Sequence, residues 1–322
     1  MTTPLTIGVV GLGSIGRRHA RLLTGCERVV VRVFDEDPGA AADLTGVTSM
    51  ANVDELIAVC DGVVIATPDA FHAPLTVAAC RAGTPVLVEK PVSDTLAGAH
   101  EMAAAAAVTG VPVLVGHVLR HLPVLSRLEE LLDGSAIGRP VSFHATVGAY
   151  ETLELARTRF DTTARHRLAF DYAHEWHYIQ WLLGPIARCV AACHLGGDLP
   201  LRQDPNVIDV LVAMASGVTG SVHLDYVERN GGRAIRIVGD RGVLTADLGD
   251  GTITTRTPAG DLRHEQHVEE RDAAFRRQLG HFLDVVAGAA PTVTIEVATR
   301  ALAVAEAVVA SCEAGTWQDV IA

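Results

Sequence analysis

The sequence predicts an α/β chain of two domains: residues 1–120 as a doubly wound parallel sheet, and residues 121–322 as an α+β domain with a large, mainly antiparallel open sheet. Three observations carry this expectation. An apolar strand (Ile7, Val9, Val10) runs into Gly11, Gly13 and Gly16, then an amphipathic helix with Ile15, His19, Leu22 and Leu23, then a β-branched strand ending in Asp35. Short buried strands continue to alternate with helices up to about Leu119. Beyond that point the pattern turns to period-two strands separated by glycine-rich turns.

The opening stretch has the order of a dinucleotide-binding unit. Gly11 allows the tight turn, Gly13 lets backbone N–H groups approach a pyrophosphate, and Gly16 lets the helix pack closely. With Ser14 and Ile15 these glycines form the expected phosphate cradle at the positive end of a helix. Asp35 is placed to bind the adenosine ribose hydroxyls and to repel a 2′-phosphate. The residues after it (Glu36, Asp37, Pro38, Gly39) offer no arginine, so NAD is expected over NADP.

The first half then reads as strand Gly62–Ala66, helix Phe71–Arg81, strand Pro85–Val88, helix Asp94–Val108 and strand Pro112–Val115. Parallel strands need right-handed crossovers, and ligands bind at their carboxyl ends. Gly11, Asp35, Thr67-Pro68 and Glu89-Lys90-Pro91 all fall there. In the second half, a helix over Pro123–Leu132 precedes an alternating strand with Val141, Phe143, Ala145 and Val147 on one face. From Val207 the alternation of Val222, Leu224 and Tyr226 with polar neighbours, broken by turns such as Asn230-Gly231-Gly232, predicts an antiparallel meander. Helices near 273–286 and 296–313 close the chain.

At 322 residues and a net charge of −12 with scattered acids, neither nucleic acid nor an anionic membrane is an expected partner. No apolar run is long enough to span a bilayer, and MTTPLTIG lacks a signal-peptide pattern. The six cysteines (26, 60, 80, 189, 193, 312) are dispersed without metal-ligand spacing, which fits reduced thiols in a cytoplasmic protein.

Two stretches could carry chemistry. Lys90 at a strand end would set its ammonium where it can polarise a substrate oxygen or itself carry the proton; a surface lysine is the plain alternative. Asp171 and His174 lie three apart, on one face if a helix begins there, and an imidazole oriented by a carboxylate can act as a general base. An N-capping aspartate beside a core histidine would look the same. Trp176, Ile179 and Leu183 form a packing face. His174 with His177 lacks zincin spacing and a third ligand, so no metal is expected. Arg157, Arg159, Arg165 and Arg167 could clamp an anionic substrate group or form a solvated or intersubunit patch.

Taken together, GLGSIGRRH, ATPDAFH, VEKP and DYAHEWHYIQWLLG resemble the Gfo/Idh/MocA family of nicotinamide-dependent sugar and cyclitol oxidoreductases, over essentially the whole chain. The resemblance implies an N-terminal Rossmann domain and a C-terminal substrate domain whose open sheet builds homodimers or homotetramers. It implies Lys90 as catalytic lysine and Asp171 and His174 as the active-site D-x-x-H pair. It sets Thr67, Pro68, His72 and Glu89 near the cofactor, and Arg120 after the last strand of the first half, near cofactor and substrate; Arg167 is a further candidate substrate contact. This chain departs from many relatives in having Arg165-His166-Arg167-Leu168 in place of a glycine cluster, and His177 in place of an aspartate, adding bulk and possible charge. The implied activity is hydride transfer between NAD and a secondary alcohol or ketone. A glycosidase that oxidises its sugar transiently and a non-catalytic NAD-sensing regulator are the other classes compatible with the fold.

Overall fold

A computed structural model describes residues 4–155, 166–201, 203–270 and 272–322. Two compact units emerge: 1–118 with 271–299, and 119–270 with 300–322.

The first unit contains β1 (Leu5–Val10), α1 (Ser14–Thr24), β2 (Val29–Phe34), β3 (Val47–Ser49), α2 (Val53–Val59), β4 (Gly62–Ile65), α3 (His72–Ala82), β5 (Val86–Glu89), α4 (Leu96–Thr109) and β6 (Val113–Gly116). All neighbours are parallel in the order β3-β2-β1-β4-β5-β6. The order reverses direction at β1, which makes the β1/β4 boundary the switch point where such sheets bind ligands. The central strands are buried on both faces: Ile7, Val9, Val63, Val64, Ile65, Val86, Leu87 and Val88 have no exposed surface. The short β3 and α2 carry too few periodic residues to stand out in the sequence; Asn52 caps α2 by accepting from the Asp54 and Glu55 N–H groups.

The second unit contains α5 (Pro123–Asp133), β7 (Pro140–Gly148), α6 (Glu151–Leu155), α7 (Arg167–Asp171), α8 (Ala173–Leu183), β8 (Ile186–His194), β9 (Val207–Met214), β10 (Thr219–Asp225), β11 (Gly232–Gly239), β12 (Gly242–Asp247), β13 (Thr252–Arg256) and β14 (Leu262–Gln266). After α9 (Ala273–Val286), which belongs to the first unit, α10 (Ile295–Ala314) leads back to the second, and β15 (Gln318–Asp319) completes its sheet. The order is β14-β13-β12-β11-β7-β10-β9-β8-β15.

This sheet is mixed rather than a simple meander. β7 lies between β10 and β11 and runs parallel to β10. Tight turns dictate pairing for β9–β10 and β11–β12, whereas the longer 226–231 link lets an earlier strand enter between its ends. The expected inner face of β7 is also shorter than its alternation suggests. Phe143, Ala145 and Val147 are buried, but Val141 is 50% exposed. Val238 pairs with Ser142 and Gly239 with Pro140, so Val141 is the extra residue of a β-bulge.

Candidate active site

In the first unit the strand ends stand level: Val10 opposite Phe34 and Ile65, Ile65 opposite Val88, and Glu89 opposite Gly116. The loops that follow therefore share one edge. Gly11 has φ +86°, and a Cβ there would lie 2.8 Å from the Ala66 carbonyl oxygen. A Cβ on Gly16 would lie 1.8 Å from the Gly11 carbonyl oxygen, so the helix packs onto the turn itself. Gly13 is the N-cap of α1, and no side chain caps that helix. Its first N–H groups, at Ser14 and Ile15, are thus the kind of donors that hold a phosphate.

The same edge is cross-linked by side chains. Asp35 Oδ2 accepts from the Leu12 N–H at 2.6 Å and Oδ1 from the Asp37 N–H at 3.0 Å, so its carboxylate sits at the glycine turn. Arg17 reaches the Ala40 carbonyl and pairs with Asp43, tying α1 to the segment after Asp35; sequence reading passed over it. His72 is buried, with Nδ1 2.9 Å from the Pro91 carbonyl and Nε2 3.0 Å from the Thr67 carbonyl. It joins the Thr67-Pro68 loop to the end of β5. Glu89 Oε1 lies 2.8 Å from Nε2 of the buried His19, which packs edge-on against Phe275 of α9. Lys90 is half-buried at this edge, directly after Glu89, and the Lys90–Pro91 peptide is cis. The glycine cradle, the uncapped helix and Asp35 fit a dinucleotide.

In the second unit, Asp171 and His174 do not share one continuous helix. Tyr172, at φ −91° and ψ +34°, ends α7 and begins α8. Asp171 is fixed by Arg167 Nε at 2.8 Å and by the hydroxyl of buried Tyr226, which donates to it. It does not cap α8, where no side chain serves as N-cap. Arg167 thus braces Asp171 from one turn earlier. Arg157, Arg159 and Arg165 lie outside the described residues. His174, in the first turn of α8, is half-buried.

The residue after it anchors this helix. Glu175 has no exposed surface, and Arg233 of β11 lies 2.7 Å from it. Burial works against the Arg233 charge and is outweighed by Glu175, so the guanidinium stays protonated. Trp176, Tyr178 and Ile179 are fully buried, and Trp176 Nε1 donates to the Ala169 carbonyl at 2.8 Å, bracing the α7–α8 corner.

His177 turns inward rather than adding charge. Burial, with help from Arg120 and His121, holds its pKa down to about 3, so the ring is neutral. Its ring centre lies 6.4 Å from that of Trp181. The Arg120 guanidinium stacks 3.5 Å over Trp181, and Trp181 Nε1 donates to Glu129 at 2.5 Å. Burial also lowers the Arg120 pKa, and Glu129 opposes that. Arg120, Glu129, His177 and Trp181 thus form one assembly of which sequence reading singled out Arg120 and His177.

Residues 5–117 match the model of the oxidoreductase family with an NAD-binding Rossmann fold, and residues 125–245 match the GFO/IDH/MocA C-terminal domain. Inositol 2-dehydrogenase 1 of Saccharopolyspora erythraea is 30% identical over 96% of this chain and 94% of its own. Inositol 2-dehydrogenase of Acidothermus cellulolyticus is 32% identical over 83% of this chain and 80% of its own. The crystal structure of GenD2 from gentamicin A biosynthesis, in complex with NAD, superposes with a TM-score of 0.84 at 25% identity, covering 100% of this chain and 98% of that one. With a Rossmann sheet, a nine-stranded mixed sheet and relatives of this closeness along nearly its whole length, the chain belongs to the Gfo/Idh/MocA family of NAD-binding oxidoreductases.

Proposed function

We propose that the protein is an NAD-dependent dehydrogenase of a secondary hydroxyl on a cyclitol or a sugar. The observation that carries this reading is the single strand-end edge that holds the Gly11–Gly16 cradle, Asp35 and Lys90 together. The inositol dehydrogenases among its relatives favour a cyclitol as substrate class. NAD, when bound, supplies the hydride acceptor. Gly11, Gly13, Ser14, Ile15 and Gly16 hold its pyrophosphate, Asp35 its adenosine ribose, and Thr67, Pro68, Glu89 and Arg120 shape its surroundings, with His72 bracing two of those loops. Lys90 binds the reacting oxygen through its ammonium and disperses the charge that grows on it as the O–H bond breaks. His174 accepts that hydroxyl proton, and Asp171, fixed by Arg167 and Tyr226, orients the base. In the reducing direction the same groups return the proton.

On this reading residues 1–120 serve the cofactor and 121–322 the substrate and self-association, with 271–299 packing into the first unit. A homodimer or homotetramer through the mixed sheet is proposed from the family resemblance. No helix of the described residues is long and apolar enough to cross a membrane. With all six cysteines free, a cytoplasmic location is proposed. The test is a panel of cyclitols, sugars and nucleotide sugars with NAD and with NADP, followed by NADH absorbance. NADH formation with a cyclitol supports the reading. Aglycone release without net NADH, or preference for NADP, contradicts it.

A further inference from the structure

Away from the loops described above, the second unit gathers three metal-ligating side chains from separate elements. Cys193 comes from β8, Cys312 from the last turns of α10, and His166 is the N-cap residue of α7. One ligand atom from each lies within 4.8 Å of the others. Sequence spacing gave no hint of this, because β8 and the end of α10 are brought together only by folding.

His166 is the telling member. It is 5% exposed, yet neither ring nitrogen has a hydrogen-bond partner among the described residues, which buried polar atoms almost always find. Its backbone sits at φ +62°, a conformation that non-glycine residues rarely hold without a local reason. Glu313, next to Cys312, brings Oε1 to 3.8 Å from His166 Nε2 and stands at the solvent rim. Two thiols, an imidazole and a carboxylate form a borderline-soft donor set that suits zinc. Bonds of about 2.3 Å to sulfur and about 2.0 Å to nitrogen place tetrahedral donors roughly 3.5 Å apart, so side-chain rotation suffices to close the site.

We propose that His166, Cys193 and Cys312, with Glu313 at the rim, bind a structural zinc ion that fastens the start of α7 to β8 and α10. Binding forms two Zn–S bonds, one Zn–N bond and one Zn–O bond and releases the two thiol protons to solvent; no electron is transferred. Thiolate ligation displaces the thiol protons, so affinity rises with pH. The ion fixes the residue before Arg167, and α7 carries both Arg167 and its partner Asp171. A disulfide between the two cysteines is the rival occupant; it leaves His166 without a role.

The experiment uses the full chain. Zinc content is measured after purification without chelators, and stripped, reduced protein is titrated with Co(II). One equivalent per chain, with a thiolate-to-cobalt charge-transfer band and tetrahedral d–d bands, is the expected result. His166→Ala and Cys312→Ser should each weaken binding by about 100-fold in chelator competition, and Glu313→Gln by about 10-fold. Should Cys312→Ser fail to fold, Cys193→Ser and the unaltered chain still decide the question. A cobalt spectrum without the charge-transfer band, an unchanged spectrum in the serine variants, or a metal-free Cys193–Cys312 disulfide found by mass spectrometry would each overturn the proposal.

Discussion

The glycine turn after β1 and the corner between α7 and α8 are held by opposite means. The turn is made of backbone: two positions have no room for a Cβ, and its helix end carries no capping side chain. The corner is made of side chains: Arg167 and Tyr226 on Asp171, Arg233 on Glu175, and the Trp176 indole on Ala169. A backbone-built site is brittle to any added atom. A side-chain-built one fails in proportion to the group removed and to its burial.

The sharpest way to break the contrast is Gly16→Ala. A Cβ 1.8 Å from a carbonyl oxygen forces the helix off the turn, so loss of soluble protein or at least about a 100-fold loss in NAD affinity is expected by calorimetry. Gly280→Ala, where a Cβ meets nothing within 4 Å, is the matched control and should stabilise by roughly 0.5–1 kcal/mol. Next comes Glu175→Ala, which strands the Arg233 charge. Removing one partner of a buried pair costs about 3–5 kcal/mol, and the 26% exposure left to Arg233 sets the expectation near the lower figure. Replacing both residues by methionine should recover most of that loss in urea unfolding, because no lone charge remains.

His177 supplies a pH test. Its depressed pKa means that the neutral ring contributes to stability above ~6.5, the unfolded value, and that the contribution is lost as pH falls toward 3. Below pH ~6.5 the unaltered chain should lose about 1.4 kcal/mol per pH unit more than His177→Asn, measured as unfolding free energy at successive pH values. Equal slopes would show that His177 is charged in the folded protein. The smallest effect is expected from Tyr226→Phe. It removes one hydrogen bond from Asp171 but leaves Arg167, so about 1–2 kcal/mol of stability is lost and turnover falls more than substrate affinity.

The same contrast explains what the sequence disclosed. Backbone-built features announce themselves, because only glycine satisfies Gly11 and Gly16 and because buried strands between glycine and proline read plainly. The fold class and the row of loops from Gly11 to Lys90 were therefore legible. Features made by side chains meeting across elements were not. Nothing around Tyr172 marks a helix break, since tyrosine is no breaker; the corner is held by Trp176 across it and by Tyr226 from beyond β10. The insertion of β7 between β10 and β11, the pairing of Glu175 with Arg233, and the meeting of His166, Cys193 and Cys312 are likewise long-range. His177, which suggested added charge, is neutral because its surroundings desolvate it.

The central claim, that Lys90 and His174 perform the proton and oxygen chemistry of an NAD-dependent alcohol oxidation, is tested most directly by turnover in Lys90→Ala and His174→Ala alongside calorimetric NAD binding. A fall in kcat of about 1,000-fold or more is expected in each variant, with NAD affinity within a few-fold of the unaltered chain. Turnover at the unaltered rate in both variants would contradict it.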